Sequence, residues 1–168
     1  MNRFRVVKYI AYAVEAVLVF VLQTTPYLLP EVFGGKGIIL LPLAVSIAVF
    51  EPDIPAMIFA VVCGFLADCS YSGAVGFYTI MLVIMCFIVS TLTKNYIRTN
   101  LLTTMLAAFI GIPLIIFLQF VFYYLLAGYT DGWSFFVRHY IPRIIYTLVF
   151  MPVMYGLNSV INKRLGDT

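Results

Sequence analysis

The sequence predicts an all-helical integral membrane protein with six transmembrane helices. Hydrophobic residues make up 64% of the 168 residues and charged residues only 10%, whereas charged residues account for about 25% of a typical soluble domain. A soluble core of this size cannot hide so much apolar surface, so lipid must solvate most of it. The polar segments between the apolar runs are too short to fold alone. We therefore expect one polytopic domain over residues 1–168.

Apolar runs near the length that crosses about 30 Å of hydrocarbon define the predicted spans. The first run follows a basic segment but has no A-x-A-like cleavage site and is too long for a signal peptide, so we interpret it as a retained helix. The predicted spans cover residues 9–29, 37–50, 54–69, 74–93, 101–127 and 142–160.

The second and third spans are separated by a polar, proline-rich turn, Glu51-Pro52-Asp53-Ile54-Pro55. Joining them into one helix would bury Glu51 and Asp53 together in hydrocarbon, which disfavours a five-span arrangement. The second span is short. A small polar turn at residues 70–73 separates the third span from the fourth.

The last two spans follow a basic polar loop at residues 94–100. The fifth span is long and carries Pro113. The longest loop, residues 128–140, precedes the sixth span, and Pro142 suits the first turn of its helix.

Basic residues predict the orientation, because they concentrate on the cytoplasmic side of membrane proteins. Six spans place seven of them on the side of both termini: Arg3, Arg5, Lys8, Lys94, Arg98, Lys163 and Arg164. The opposite side holds three: Lys36, Arg138 and Arg143. We therefore expect both termini in the cytoplasm.

The sequence offers little for catalysis. Cys63, Cys69 and Cys86 are odd in number and lack C-x-x-C spacing, so they predict neither a disulfide framework nor a metal site. His139 is the only histidine, and no glycine-rich phosphate loop is present. We expect no catalytic residue, no cofactor and no metal. The net charge of +3 comes from helix ends and does not indicate a nucleic-acid partner.

The most distinctive pattern is an acid framed by glycines near the end of the third span. Asp68 follows Gly64 by four residues and precedes Gly73 and Gly76. A carboxylate at membrane depth is costly and marks a buried partner, a ligand or a polar pocket. The glycines allow backbones to approach closely. These four residues are candidates for a pocket or a partner contact.

Two further polar residues belong to the candidate set. Arg143 opens the sixth span at a depth similar to that of Asp68, so we hypothesise an ion pair between them. Gln23 lies two turns after Glu15 on roughly the same face of the first span. Such residues line a polar cavity between helices or simply join helices by hydrogen bonds, and the sequence leaves both possibilities open.

The pattern from Gly64 to Gly76, following a short second span, resembles the MreD family of rod shape-determining proteins. Members are small bacterial membrane proteins of about this length. The segment Leu22-Gln23-Thr24-Thr25 is similar to a Leu-Gln-Ser/Thr stretch of that family. At Glu51-Pro52-Asp53 the chain departs from many members, which carry a basic residue and Gly-Pro there.

The resemblance implies a non-enzymatic role in the bacterial cytoplasmic membrane. Members work with the actin-like MreB and the bitopic MreC, and this machinery positions peptidoglycan synthases during elongation. The resemblance also implies a fold like that of the substrate-binding subunit of energy-coupling-factor vitamin transporters. In that fold Gly64, Asp68, Gly73 and Gly76 would shape a pocket or partner surface near the outer face, and lipid-facing grooves beside them would accept the MreC helix.

A vitamin-binding transport subunit is the alternative, because it would have the same size, span number and apolarity. Such subunits often carry Ala-x-x-x-Ala on the first helix, and here that spacing from Ala11 meets the bulky acid Glu15. Polar groups for a ligand on the outer side are sparse. Identification of the neighbouring genes would distinguish the two functions.

Overall fold

The computed structural model describes residues 3–25, 37–70, 76–95, 100–125 and 136–165. Within these ranges the fold is all-helical, as the composition predicts. The α-helices are α1 (Arg3–Thr24), α2 (Leu40–Phe50), α3 (Asp53–Ser70), α4 (Phe77–Asn95), α5 (Leu101–Phe120), α6 (Ile141–Val149) and α7 (Met151–Leu165). Two π-helical segments, Val121–Leu125 and Phe136–Tyr140, follow α5 and precede α6.

Among the described residues, five helical segments are long and apolar enough to cross a membrane. They are Arg5–Thr24, Asp53–Ser70, Phe77–Lys94, Leu101–Tyr123 and Phe136–Arg164. The last contains α6 and α7, which break at Phe150. Pro152 accounts for this break, because proline lacks an N–H and clashes with the carbonyl of the preceding turn. Together with the shorter α2, these segments give the six predicted helices.

The short helix α2 forms the centre of the bundle. It has 11 residues, so it is about 16 Å long and covers only about half of the hydrocarbon thickness. Every side chain from Leu40 to Val49 is buried, and α2 packs against each of the other six α-helices. A helix that is apolar on all faces is stable only when protein or lipid surrounds it completely. Here the other helices supply that shell.

The surrounding helices bury one face and expose another apolar face. On α5, for example, Leu102, Phe109 and Ile110 are more than two-thirds exposed, although they are strongly hydrophobic. Such a surface is compatible with acyl chains and not with water. The structure therefore consists of a protein-enclosed central helix inside a ring of lipid-facing helices.

Candidate functional site

The carboxylate of Asp68 binds the start of α4. Asp68 is only 3% exposed. Its Oδ1 accepts the backbone N–H of Tyr78 at 2.9 Å, and its Oδ2 accepts those of Gly76 at 2.9 Å and Thr79 at 3.1 Å. The Thr79 hydroxyl also donates to Oδ2 at 2.7 Å. The first N–H groups of a helix have no partner within the helix, and a carboxylate there also complements the helix dipole. Asp68 is thus a cap supplied by the preceding helix.

Gly76 contributes to this cap through its backbone conformation. Its φ angle is +106°, a value that residues with a side chain rarely adopt. No atom lies within 4 Å of a Cβ built at this position, so conformation and not space selects glycine. This conformation directs the Gly76 N–H towards Asp68 at the entrance to α4. Gly73 lies outside the described residues.

Gly64 lets α3 and α4 touch. A Cβ at Gly64 would lie 2.5 Å from the Cα of Thr79 and 2.9 Å from its backbone nitrogen, distances that real Cβ atoms do not tolerate. The predicted close approach is therefore filled by α4 of the same chain. Because Gly64 is one turn before Asp68, the same helix contact brings the carboxylate to the α4 backbone.

The predicted ion pair between Asp68 and Arg143 is wrong, since Arg143 is not among the donors to Asp68. Its Nη2 donates to the Tyr78 hydroxyl at 3.2 Å, and its Nη1 donates to Gln119 Oε1 at 3.5 Å. The Tyr78 hydroxyl itself donates to Gln119 Oε1. Four donors already surround the Asp68 carboxylate, and Tyr78 connects the two groups by hydrogen bonds at both its backbone and its side chain.

Gln23 caps the start of the buried helix α2. Its Oε1 accepts the backbone N–H of Leu40 at 3.3 Å. The N–H of Ile38 donates to the Thr147 hydroxyl at 3.1 Å, and that hydroxyl donates to the Arg143 carbonyl at 2.7 Å. Because α2 starts inside the bundle, water cannot satisfy these N–H groups, and side chains from α1 and α6 replace it.

The sequence analysis did not identify Tyr78 or Thr147, and it considered Gln119 without its partners. Thr147 was recognisable in part, because it follows Arg143 by four residues and so lies on the same helical face. Tyr78 had no distinguishing pattern, since the chain contains 12 tyrosines. Gln119 is buried within α5 and becomes informative only once its neighbours are known.

The other end of the bundle contains a second set of charged residues. Lys8 on α1 forms an ion pair with Glu51 after α2 and donates to Asn162 Oδ1 on α7 at 2.7 Å. Lys8 is 8% exposed and Glu51 is 5% exposed. Nearby, Lys94 on α4 contacts Asp53 at the start of α3 at 3.1 Å, in a pair that is more exposed. The polar turn between α2 and α3 is thereby attached to three helices.

These contacts leave little capacity for acid–base chemistry at Asp68. An ionised carboxylate offers about four lone-pair positions, and Asp68 already accepts four hydrogen bonds. Within the described part of the chain, no three His, Cys, Asp or Glu side chains are grouped to hold a metal ion. The geometry of Asp68 is that of a structural cap.

Two apolar grooves open towards lipid on either side of α5. The groove between α4 and α5 has a volume of about 340 Å³ and a lining of 12 residues, nearly all apolar: Met81, Ile84, Met85, Ile88, Val89, Leu92, Ala107, Ile110, Gly111, Leu114, Ile115 and Leu118. The groove between α5 and the α6–α7 region has a volume of about 260 Å³. We call the first of these the α4–α5 groove.

A buried central helix within lipid-facing helices, with its polar residues used as helix caps, defines a polytopic membrane protein built for packing. The chain belongs to the MreD family: the sequence model described as rod shape-determining protein MreD matches residues 5–160. No curated protein matches the chain, and no solved structure matches it. Membership in this family implies a role in determining rod shape.

Proposed function

We propose that this protein is a non-enzymatic scaffold of the bacterial cell-elongation machinery. In this role it holds the bitopic MreC in the cytoplasmic membrane and, together with MreB, helps to position peptidoglycan synthases. The observation that carries the proposal is the family match over residues 5–160. The site geometry agrees with it, because the polar groups near Asp68 are committed to holding helices together.

The orientation follows from the charges at the two ends. Lys8, Lys94 and the turn that contains Glu51 and Asp53 lie together at one end. We assign this end to the cytoplasm, because it includes most of the basic flanking residues. Since α3 begins at Asp53 and ends at Ser70, Asp68 is then near the outer face.

We place the single transmembrane helix of MreC in the α4–α5 groove. Helices in lipid associate through close van der Waals packing, because lipid is as apolar as their side chains. A concave apolar surface increases such contact relative to a convex one. The α4–α5 groove offers about 340 Å³ of this concave space, whereas Gly64 does not remain available to a partner because α4 fills its surface.

Depletion of the protein in its rod-shaped host tests the proposed function. We expect cells to lose their rod shape and to regain it when the wild-type chain is restored, because a scaffold is required continuously for lateral wall growth. Extraction of the tagged chain in mild detergent should recover MreC and peptidoglycan synthases. Unchanged shape after depletion, or recovery of a vitamin together with a transport ATPase, would contradict the proposal.

A further inference from the structure

The start of α2 contains a buried amide that is only half used. Gln23 is 6% exposed, and its Oε1 accepts the Leu40 N–H at 3.3 Å. The other half of the amide, Nε2, is buried and has no hydrogen-bond partner among the described residues. A buried N–H₂ group without an acceptor is costly, and native structures rarely retain one without a reason.

The surroundings of this amide favour a negatively charged acceptor. The N-terminus of an 11-residue helix carries a partial positive charge. Arg143 lies one turn before Thr147, the side chain that binds Ile38 at this helix start. The acids nearest along the contacting helices are otherwise placed: Asp68 is engaged by α4, and Glu15 lies two turns away on α1.

We propose that the start of α2, together with Gln23 and Thr147, forms a binding site for an anionic phosphate group. Backbone N–H groups at a helix N-terminus are well suited to phosphate oxygens, and Gln23 Nε2 supplies an additional donor. Gln23 lies in the last turn of α1, close to the end of a membrane span. Either a lipid headgroup or free inorganic phosphate presents this chemistry.

The decisive variant is Gln23→Glu. A glutamate keeps an oxygen for the Leu40 N–H but removes the Nε2 donor and adds a negative charge. If Gln23 is only a structural cap, this variant should be as stable as the wild type or more stable, because a carboxylate complements the helix dipole. If the site binds phosphate, the variant should lose affinity by about tenfold or more.

The experiment measures the unfolding temperature Tm of the purified full chain in neutral detergent. One titration uses sodium phosphate against sodium chloride at equal ionic strength. The other uses dihexanoyl phosphatidylglycerol against dihexanoylglycerol, which lacks the phosphate. We expect a saturable rise in Tm for the wild type. A rise with the lipid alone identifies a headgroup site, and a rise with both shows that free phosphate suffices.

Thr24→Glu is the matched control, because it adds the same charge one residue away on an exposed position. It should retain the phosphate-dependent rise that Gln23→Glu loses. A rise that persists in Gln23→Glu would overturn the proposal, as would the absence of any rise in the wild type. The wild-type titrations decide the matter even if the Gln23→Glu protein does not fold.

Discussion

The carboxylate of Asp68 on α3 and the backbone N–H of Tyr78 on α4 are joined by a 2.9 Å hydrogen bond. The same tyrosine accepts a hydrogen bond from Arg143 on its hydroxyl. A single residue therefore links the acid that caps α4 to the base that opens α6. The arrangement couples three helices at one end of the bundle without placing the two charges in contact.

Replacing Asp68 by asparagine should destabilise the protein by about 2–3 kcal/mol. The variant loses the negative charge at the helix start and turns one of the accepting atoms into a donor that faces other donors. The measurement is the free energy of unfolding in mixed detergent. Asp53→Asn is the control, because Asp53 pairs with Lys94 in a more exposed position and should change stability by about 1 kcal/mol or less. Equal effects of the two substitutions would refute the capping role.

Gly64→Ala should destabilise the α3–α4 contact by about 1–3 kcal/mol, the usual cost of overpacking. Its new Cβ would meet the Thr79 backbone at 2.5 Å, and backbone atoms cannot rotate away. Gly156→Ala is the matched control, since Gly156 also lies in a helix but has no atom within 4 Å of a built Cβ. That control should be neutral or more stable, because alanine favours helix. Thermal unfolding of both variants in the same detergent decides the comparison.

The sequence was informative wherever a residue type was rare in its surroundings. Asp68 stood out because carboxylates are uncommon in apolar spans, and its glycine neighbours correctly indicated a close helix contact. Its partner was not predictable, because helix register and rotation decide which N–H groups meet the carboxylate. This is why Arg143, which matches Asp68 in depth alone, was the wrong choice.

Other features depended on long-range contacts that no local pattern encodes. Lys8 was treated only as a basic flanking residue, yet it is buried against Glu51. The central position of α2 follows in hindsight from its uniform apolarity and short length. Its cap at Gln23 joins Leu40 across 17 positions, a connection that periodicity does not report.

Breaking the Lys8–Glu51 ion pair on one side should cost about 3–5 kcal/mol, because it leaves a buried charge without a partner. Lys8→Met and Glu51→Gln should each show this loss in unfolding measurements, and the double variant should recover part of it. A double-mutant cycle on Lys94 and Asp53 provides the exposed comparison and should give a coupling below about 1 kcal/mol. Additive effects of the Lys8 and Glu51 substitutions would show that the pair is not energetically coupled.

Ile110→Trp tests the proposed position of MreC. Ile110 lines the α4–α5 groove and is 68% exposed, so a tryptophan can enter the groove without disturbing the buried helix α2. Filling the groove should reduce co-purified MreC by about tenfold, since a lost fraction of a helix interface of about 1.4 kcal/mol has that effect. The amount of the variant in the membrane should remain normal, because its exposed side chain still faces lipid.

The matched control for the groove is Ile58→Trp on α3, where Ile58 is 57% exposed and does not line either groove. This variant adds the same bulk to another lipid-facing helix and should leave MreC recovery unchanged. Equal recovery from both variants would exclude the α4–α5 groove as the MreC surface. Loss in both would point instead to a general effect of added bulk on the membrane protein, and loss in Ile110→Trp alone would place the partner helix between α4 and α5.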